Sequence, residues 1–435
     1  MKFFNFLLCA ILLACLISCK EKNQVKENNY DKVFVTFYYK DTVNKKAFVI
    51  INIHSYTGKD TFVYRFSKKY VQIKSLLVNG VNSNYKFIGD SLLVFSKKNI
   101  TENIIKIDYI VQMDSIRIKK CYLLDGYEWC PQVQNEMAEL SINAIIPEGN
   151  NLYYKVEPLL KIKGNDTIYS ISKNLTRSFI LIIAPNNYYT KIEKEINKKK
   201  LIFYFRNKDQ QHRDSIINEC VKTFKFCETN VGDYNRNSFV LIEYPDVGWC
   251  ASQEGFLIIG NIIVYYYNKL PEFNFWPIHE TIHQWIGNGF FFKKVKDVRY
   301  IQFYIESLTE FLTWEYIEGK CNNDTIKKIV ADRIKEYNTE IKGTINDKPL
   351  SANLNNRITY ACSPIIYYNI RNIIGKDKWH QFLKEFYNNN KGQFITFDEF
   401  LQELSKYLDK KEIKKLHLYL DNKFSYFLSQ NKNII

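Results

Sequence analysis

Between Lys32 and about Ile192 the chain offers only short apolar runs, rich in β-branched and aromatic residues and cut by turn residues, and none keeps a helical period. Val33–Tyr39, Ala47–Ile53, Leu92–Phe95, Ile104–Ile110 and Ser178–Ile183 are the clearest, with Asn79-Gly80 as a hairpin signal. Runs of this kind can bury their side chains only by pairing into sheets, so this part folds as an all-β unit. From about Lys198 the text changes. Strands at Leu201–Phe205 and Phe239–Glu243 flank a helix around Asp214–Phe226, and after Pro277 the apolar spacing is mostly helical to the end. The expected organisation is an N-terminal β domain over 32–195 and a mixed, mostly helical domain over 196–435. A chain of 435 residues with 46% apolar and 16% aromatic residues can build both cores, which excludes a disordered protein.

The apolar run Leu7–Ile17 is too short to span a bilayer and is followed by Ser18-Cys19 and then Lys20-Glu21-Lys22, the pattern of a secretory signal. The tetrad Leu16-Ile17-Ser18-Cys19 resembles a bacterial lipobox. It implies that residues 1–18 are removed, that Cys19 carries a lipid, and that the polar stretch 19–31 is a flexible stalk. Lys20 after that cysteine favours the outer membrane. The expected location is thus the bacterial envelope, with membrane contact only through the lipid. The formal charge of +15 comes from lysines spread along the whole chain without a focused run, so no nucleic-acid partner is expected. Beyond Cys19 the seven cysteines are irregularly spaced and include no CxxC pair, which supports neither a disulfide framework nor a thiolate metal site. Cys220 and Cys227 fall on the expected helix two turns apart, about 10 Å, too far to bridge.

The chemistry concentrates in Trp276-Pro277-Ile278-His279-Glu280-Thr281-Ile282-His283-Gln284-Trp285-Ile286-Gly287. Pro277 suits the first turn of a helix and Gly287 its end. On that helix His279 and His283 leave the same face at i and i+4 and can share one ion, for which neutral imidazole is a good zinc ligand. Glu280, turned by about 100°, reaches a water on the metal rather than the metal. With only six histidines in the chain, the pattern is rare by chance. A catalytic zinc needs a third protein ligand and an open position. Glu306 and Glu310, one turn apart in Tyr304–Trp314, are the candidates, and the carboxylate not taken would act behind the first layer or in solvent.

The run His279–Asn288 followed by Ile305-Glu306-Ser307-Leu308-Thr309-Glu310-Phe311 resembles the aminopeptidase N family of gluzincins, whose pattern is HExxHxW.GN and then a NEG-type motif. The alignment selects Glu306 as third ligand, although Ile305 and Ser307 replace the usual neighbours. The interval His283 to Glu306, twenty-two residues, is also longer than the family's, with the excess expected in Phe290–Lys296. The segment Arg357–Arg371 with Gly375 and Trp379 is similar to the family helix that starts with a catalytic tyrosine, which makes Tyr360 the oxyanion donor. Gly248–Ile259 lies where the family carries GAMEN, so Glu254 is the implied anchor for the substrate α-amine. The element Trp129-Cys130-Pro131 resembles a motif of the family's saddle-like β domain.

The resemblance implies that saddle-like domain followed by a thermolysin-like α+β domain, mostly α, holding one Zn2+. It implies peptide-bond hydrolysis with a peptide as partner, as an aminopeptidase. An endopeptidase built on the same core and a non-catalytic binding lipoprotein are the alternatives. The chain ends without the family's large helical repeat domain.

Overall fold

The computed structural model describes residues 30–434 apart from 42–44, 57–58, 97–99, 114–116, 119–120, 125–127, 134–136, 164–165, 178, 207–209, 246, 270–273, 293–299, 322–323 and 353–356. The signal segment, Cys19 and the stalk up to residue 29 lie outside the described residues. No helix among them is long and apolar enough to cross a membrane.

The N-terminal part is all β. Its largest sheet has eight strands, in the order Leu159–Lys163, Asp166–Thr176, Ala138–Pro147, Asp31–Asp41, Lys46–Ser55, Asn103–Gln112, Val71–Val78, Val81–Asn82. Alternate residues of Lys46–Ser55 and Asn103–Gln112 are buried, which is why these strands read as period two in sequence. Two four-stranded sheets accompany the large one. Asn79 and Gly80, both at positive φ (53° and 79°), make the expected tight turn. Trp129 is buried in this core, edge-on to Phe37 at 5.9 Å, and its indole N–H donates to the Phe179 carbonyl at 2.6 Å.

The second part begins earlier than expected. Tyr189–Ile196 pairs with Lys199–Arg206 through a hairpin turn at Asn197 and Lys198, both at positive φ. A boundary at 195/196 would cut that hairpin. Both strands belong to a five-stranded sheet completed by Ser238–Tyr244, Phe256–Gly260 and the edge strand Cys250–Gln253. Helices follow: α1 Gln210–Asn230, between the second and third strands, then α2 Asn261–Tyr266, α3 Trp276–Ile282, α4 Leu308–Lys320, α5 Thr325–Glu336, α6 Ser363–Ile374, α7 Lys376–Asn390, α8 Phe397–Leu404, α9 Lys410–Asp421 and α10 Phe424–Gln430. Phe290 is buried and Phe291–Phe292 pairs with Phe394–Ile395, so part of the expected loop is a strand, while 293–299 lie outside the described residues.

A separate apolar cluster, including Cys121, Tyr153, Ile182, Tyr189, Ile202, Val240 and Ile258, lies between the two parts. The seven cysteines among the described residues are all free thiols.

Inside the helical part Arg371 of α6 is buried against two carboxylates of α4. It reaches Glu315 at 3.0 Å and Glu318 at 2.9 Å, and the Trp379 indole of α7 donates to Glu315 at 2.9 Å. Removing the cation would leave a buried carboxylate without a counter-charge, which costs about 3–5 kcal/mol. Arg371→Met is therefore expected to lower stability by about 3 kcal/mol, read as a lower midpoint in guanidinium chloride. A midpoint equal to wild type would show that the three helices do not rely on this ion pair.

Candidate metal centre and its cleft

Helix α3 carries Pro277 in its first turn, where a missing N–H costs nothing, and ends at Ile282 with His283 capping it. His283 keeps a helical bond to the His279 carbonyl at 3.2 Å, so both imidazoles still leave the same face. The chain then turns away at Gly287, at φ 92°, where a Cβ would meet Ile305 at 3.1 Å. The two Nε2 atoms lie 3.1 Å apart. Oε2 of Glu306 lies 3.5 Å from His279 Nε2 and 3.3 Å from His283 Nε2. Glu306 sits on a single π-helical turn, Phe303–Ser307, that leads into α4 and is pinned where the Ser307 hydroxyl donates to the Thr359 carbonyl at 2.9 Å.

The far side of each ring is occupied. His279 Nδ1 faces the Glu310 carboxylate at 3.0 Å, which also accepts from the Trp314 indole at 2.9 Å. His283 Nδ1 faces the Ile286 carbonyl at 3.0 Å. A carbonyl and a carboxylate can only accept, so both Nδ1 atoms carry a proton and both Nε2 atoms are turned towards Glu306. Two imidazole nitrogens and a carboxylate oxygen thus converge within 4.8 Å, the one such group among the described residues. Burial by itself would lower the His279 imidazole, yet Glu306 and Glu310 push its proton affinity up to about 10. Burial would raise Glu306, but the two histidines hold it far below the usual carboxylate range. The site therefore seeks a cation, and two imidazoles with one carboxylate suit Zn2+.

An open cleft of about 400 Å³ reaches this group and is lined by Glu280, His283, Glu306, Tyr360, Ser252, Asn288 and Arg177 among others. Burial pushes the Glu280 carboxyl above its ordinary value. Tyr360 stands on a second π-helical turn, Ile358–Cys362, and its hydroxyl donates to Glu306 Oε2 at 2.8 Å. Burial, then Glu306, raise that phenol well above its usual pKa, so it keeps its proton.

The expectation for Glu254 is corrected. Its carboxylate is 1% exposed and does not line the cleft. It accepts from Thr176 Oγ1 at 3.0 Å, Arg177 Nε at 3.0 Å and Lys155 Nζ at 3.4 Å, all from the β domain. Although burial would raise it, Lys155, Arg177 and Arg236 bring it down to about 2. A carboxylate so fully paired is not available to a substrate amine.

Two further residues were not singled out from sequence. Gln284 holds the turn at Gly255 against α3, accepting from its N–H at 2.8 Å and donating to Ser252 Oγ at 2.6 Å. Arg177 comes from the other domain, over a hundred positions before the metal helix, and no spacing signal could connect the two.

Residues 277–420 match the Peptidase family M1 domain. No curated protein matches the chain. The fold is similar to a crystal structure of an M1 zinc metallopeptidase from Deinococcus radiodurans, in a mutant form bound to the substrate Tyr-Ser-Ala. That likeness has a TM-score of 0.71 and 9% identity over 91% of this chain and 94% of that one. A two-domain M1 zinc metallopeptidase mutant bound to L-arginine is similar at TM-score 0.67 and 10% identity, with 91% and 94% covered. A further one, bound to L-tryptophan, matches with the same figures.

Carboxylates that orient ligating histidines typically change metal affinity by about 10–100-fold. Glu310→Ala is expected to weaken zinc binding within that range, about 10–100-fold, without altering the circular dichroism spectrum. Competition against a chromophoric chelator measures it. Unchanged affinity would mean that the His279 ring is oriented by its packing alone.

Proposed function

We infer that this chain, a zinc metallopeptidase whose residues 277–420 belong to peptidase family M1, cleaves peptides near their N-terminus at a single zinc held by His279, His283 and Glu306. The convergence of those three acceptor atoms on an open cleft, with Glu280 in its wall, is the observation that carries the reading. Zinc bound there supplies a Lewis acid for the peptide carbonyl and brings the pKa of water towards neutrality. Glu280, its basicity increased by burial, takes the proton of the attacking water and returns it to the leaving amine. The Tyr360 hydroxyl, now donating to Glu306, is placed to donate instead to the oxyanion that develops on the carbonyl oxygen. Asn288 and Ser252 add polar groups for the peptide main chain.

Action at the N-terminus is supported by the family and by the tripeptide and single amino acids held by the similar structures. One observation favours a second reading, an endopeptidase: the carboxylate expected to hold the amine is occupied by Arg177 and Lys155. The amino-terminal sequence supports a place at the bacterial envelope, tethered through a lipid on Cys19, on the outer membrane.

A panel of peptides with free and acetylated N-termini, assayed with and without chelator, decides the end at which cleavage occurs. Equal rates on both sets would leave the endopeptidase. Glu280→Gln is expected to keep one zinc per chain while turnover falls by about a hundredfold or more, since it removes the base and spares the ligands. Turnover near wild type in that variant would overturn the mechanism.

A further inference from the structure

On the side of the cleft that the β domain supplies, the charged group is a cation, Arg177. Arg177 follows the strand Asp166–Thr176 of the β domain and reaches across the domain boundary. Its Nε donates to Glu254 at 3.0 Å, its Nη2 to the Gly287 carbonyl at 3.2 Å and to Asn288 Oδ1 at 3.4 Å, and its guanidinium lies 4.7 Å from the Phe291 ring. The plane is thereby fixed on three sides. Nη1 donates to no acceptor among the described residues, and the side chain is 29% exposed in the wall of the cleft.

The ion pair with Glu254 does not cancel this charge. Glu254 also pairs with Lys155 at 3.4 Å, so Arg177 shares that carboxylate with a second basic group. A peptide entering the cleft therefore meets, on this side, a rigid guanidinium with a free N–H. Arginine in that state offers a carboxylate a donor of fixed direction, because its plane is held by its other contacts and Nη1 is still left to donate.

We propose that Arg177 is a specificity-determining residue that pairs with a carboxylate of the peptide substrate, so that acidic peptides are selected over their neutral counterparts. The carboxylate can be an Asp or Glu side chain or the terminal carboxylate of a short peptide, and the two share the same chemistry. The proposal rests on the reading of this cleft as a peptidase site. It does not depend on which end of the peptide is cut.

Binding and turnover together test it. Zinc-loaded Glu280→Gln protein is titrated with peptides that differ only as Glu against Gln, each with a free or an amidated C-terminus. The same peptides are then given to the active enzyme. Acidic peptides are expected to bind about tenfold or more tightly than neutral ones, with a preference that shrinks as salt rises. A preference that follows Glu assigns a side-chain carboxylate, and one that follows the free C-terminus assigns the main chain. Adding Arg177→Gln should abolish the preference, and Arg177→Lys, which keeps a positive charge but loses the planar group held against Glu254 and Phe291, should retain only part of it. A purely structural Arg177 would instead lower stability and weaken all peptides equally. Equal affinity of all four peptides, Glu or Gln and free or amidated at the C-terminus, for the protein with Arg177 intact overturns the proposal. Because binding is read in a protein that does not turn over, that result is distinct from a failure of hydrolysis, which would show as no cleavage of any peptide by the zinc-loaded enzyme.

Discussion

Three atoms able to ligate a metal, the Nε2 of His279, the Nε2 of His283 and an oxygen of Glu306, are held within 4.8 Å of one another, close enough that a proton or a cation must be shared among them. Much of the second domain can be understood as the frame that keeps them there. Glu310 and the Ile286 carbonyl fix the far nitrogen of each ring. The Trp285 indole, packed on Phe224 and Tyr234 and bonded to the Gly232 carbonyl, fastens the end of the metal helix to α1. Buried contacts of this kind are hard to rearrange, which is why the frame can hold the group in readiness for a metal.

Backbone irregularity recurs where function concentrates. Glu306 and Tyr360 both stand on single π-helical turns at the start of longer helices. One extra residue in a turn re-aims the side chain without unfolding the helix, at the expense of a poorer hydrogen-bond ladder. The two turns also meet, through the Ser307 hydroxyl and the Thr359 carbonyl, so the third acceptor and the phenol are set relative to each other rather than independently.

The β domain is more than a neighbour of this frame. Lys155, Thr176 and Arg177 enclose Glu254 of the second domain, while Arg177 continues to the Gly287–Asn288 turn just beyond the metal helix. A single carboxylate thus ties the domains together and orients the cation that enters the cleft. Removing one partner of such a buried group would leave the other charge unmet, so interface and cleft wall depend on the same contacts.

The sequence by itself determined the all-β first part, the mixed second part and the metal helix with its two histidines and Glu280. Each of these depends on spacing along a single element: period two for the strands, i and i+4 for the histidines, with Pro277 and Gly287 marking the helix. It also narrowed the third acceptor to Glu306 or Glu310, two positions on one helical face that local spacing cannot separate. The family resemblance chose Glu306, and the tertiary structure shows the reason: Glu306, on a π turn, faces the Nε2 atoms while Glu310, one turn on in α4, stands behind His279. Only the tertiary structure moved the start of the second domain back to the hairpin at Tyr189, since strand pairing rather than composition sets that edge. Glu254 and Arg177 depend most on the fold. Whether a carboxylate is free or paired, and whether a cation lines a cleft, follows from which distant segments the domain interface brings into contact, and no local pattern in the chain records that.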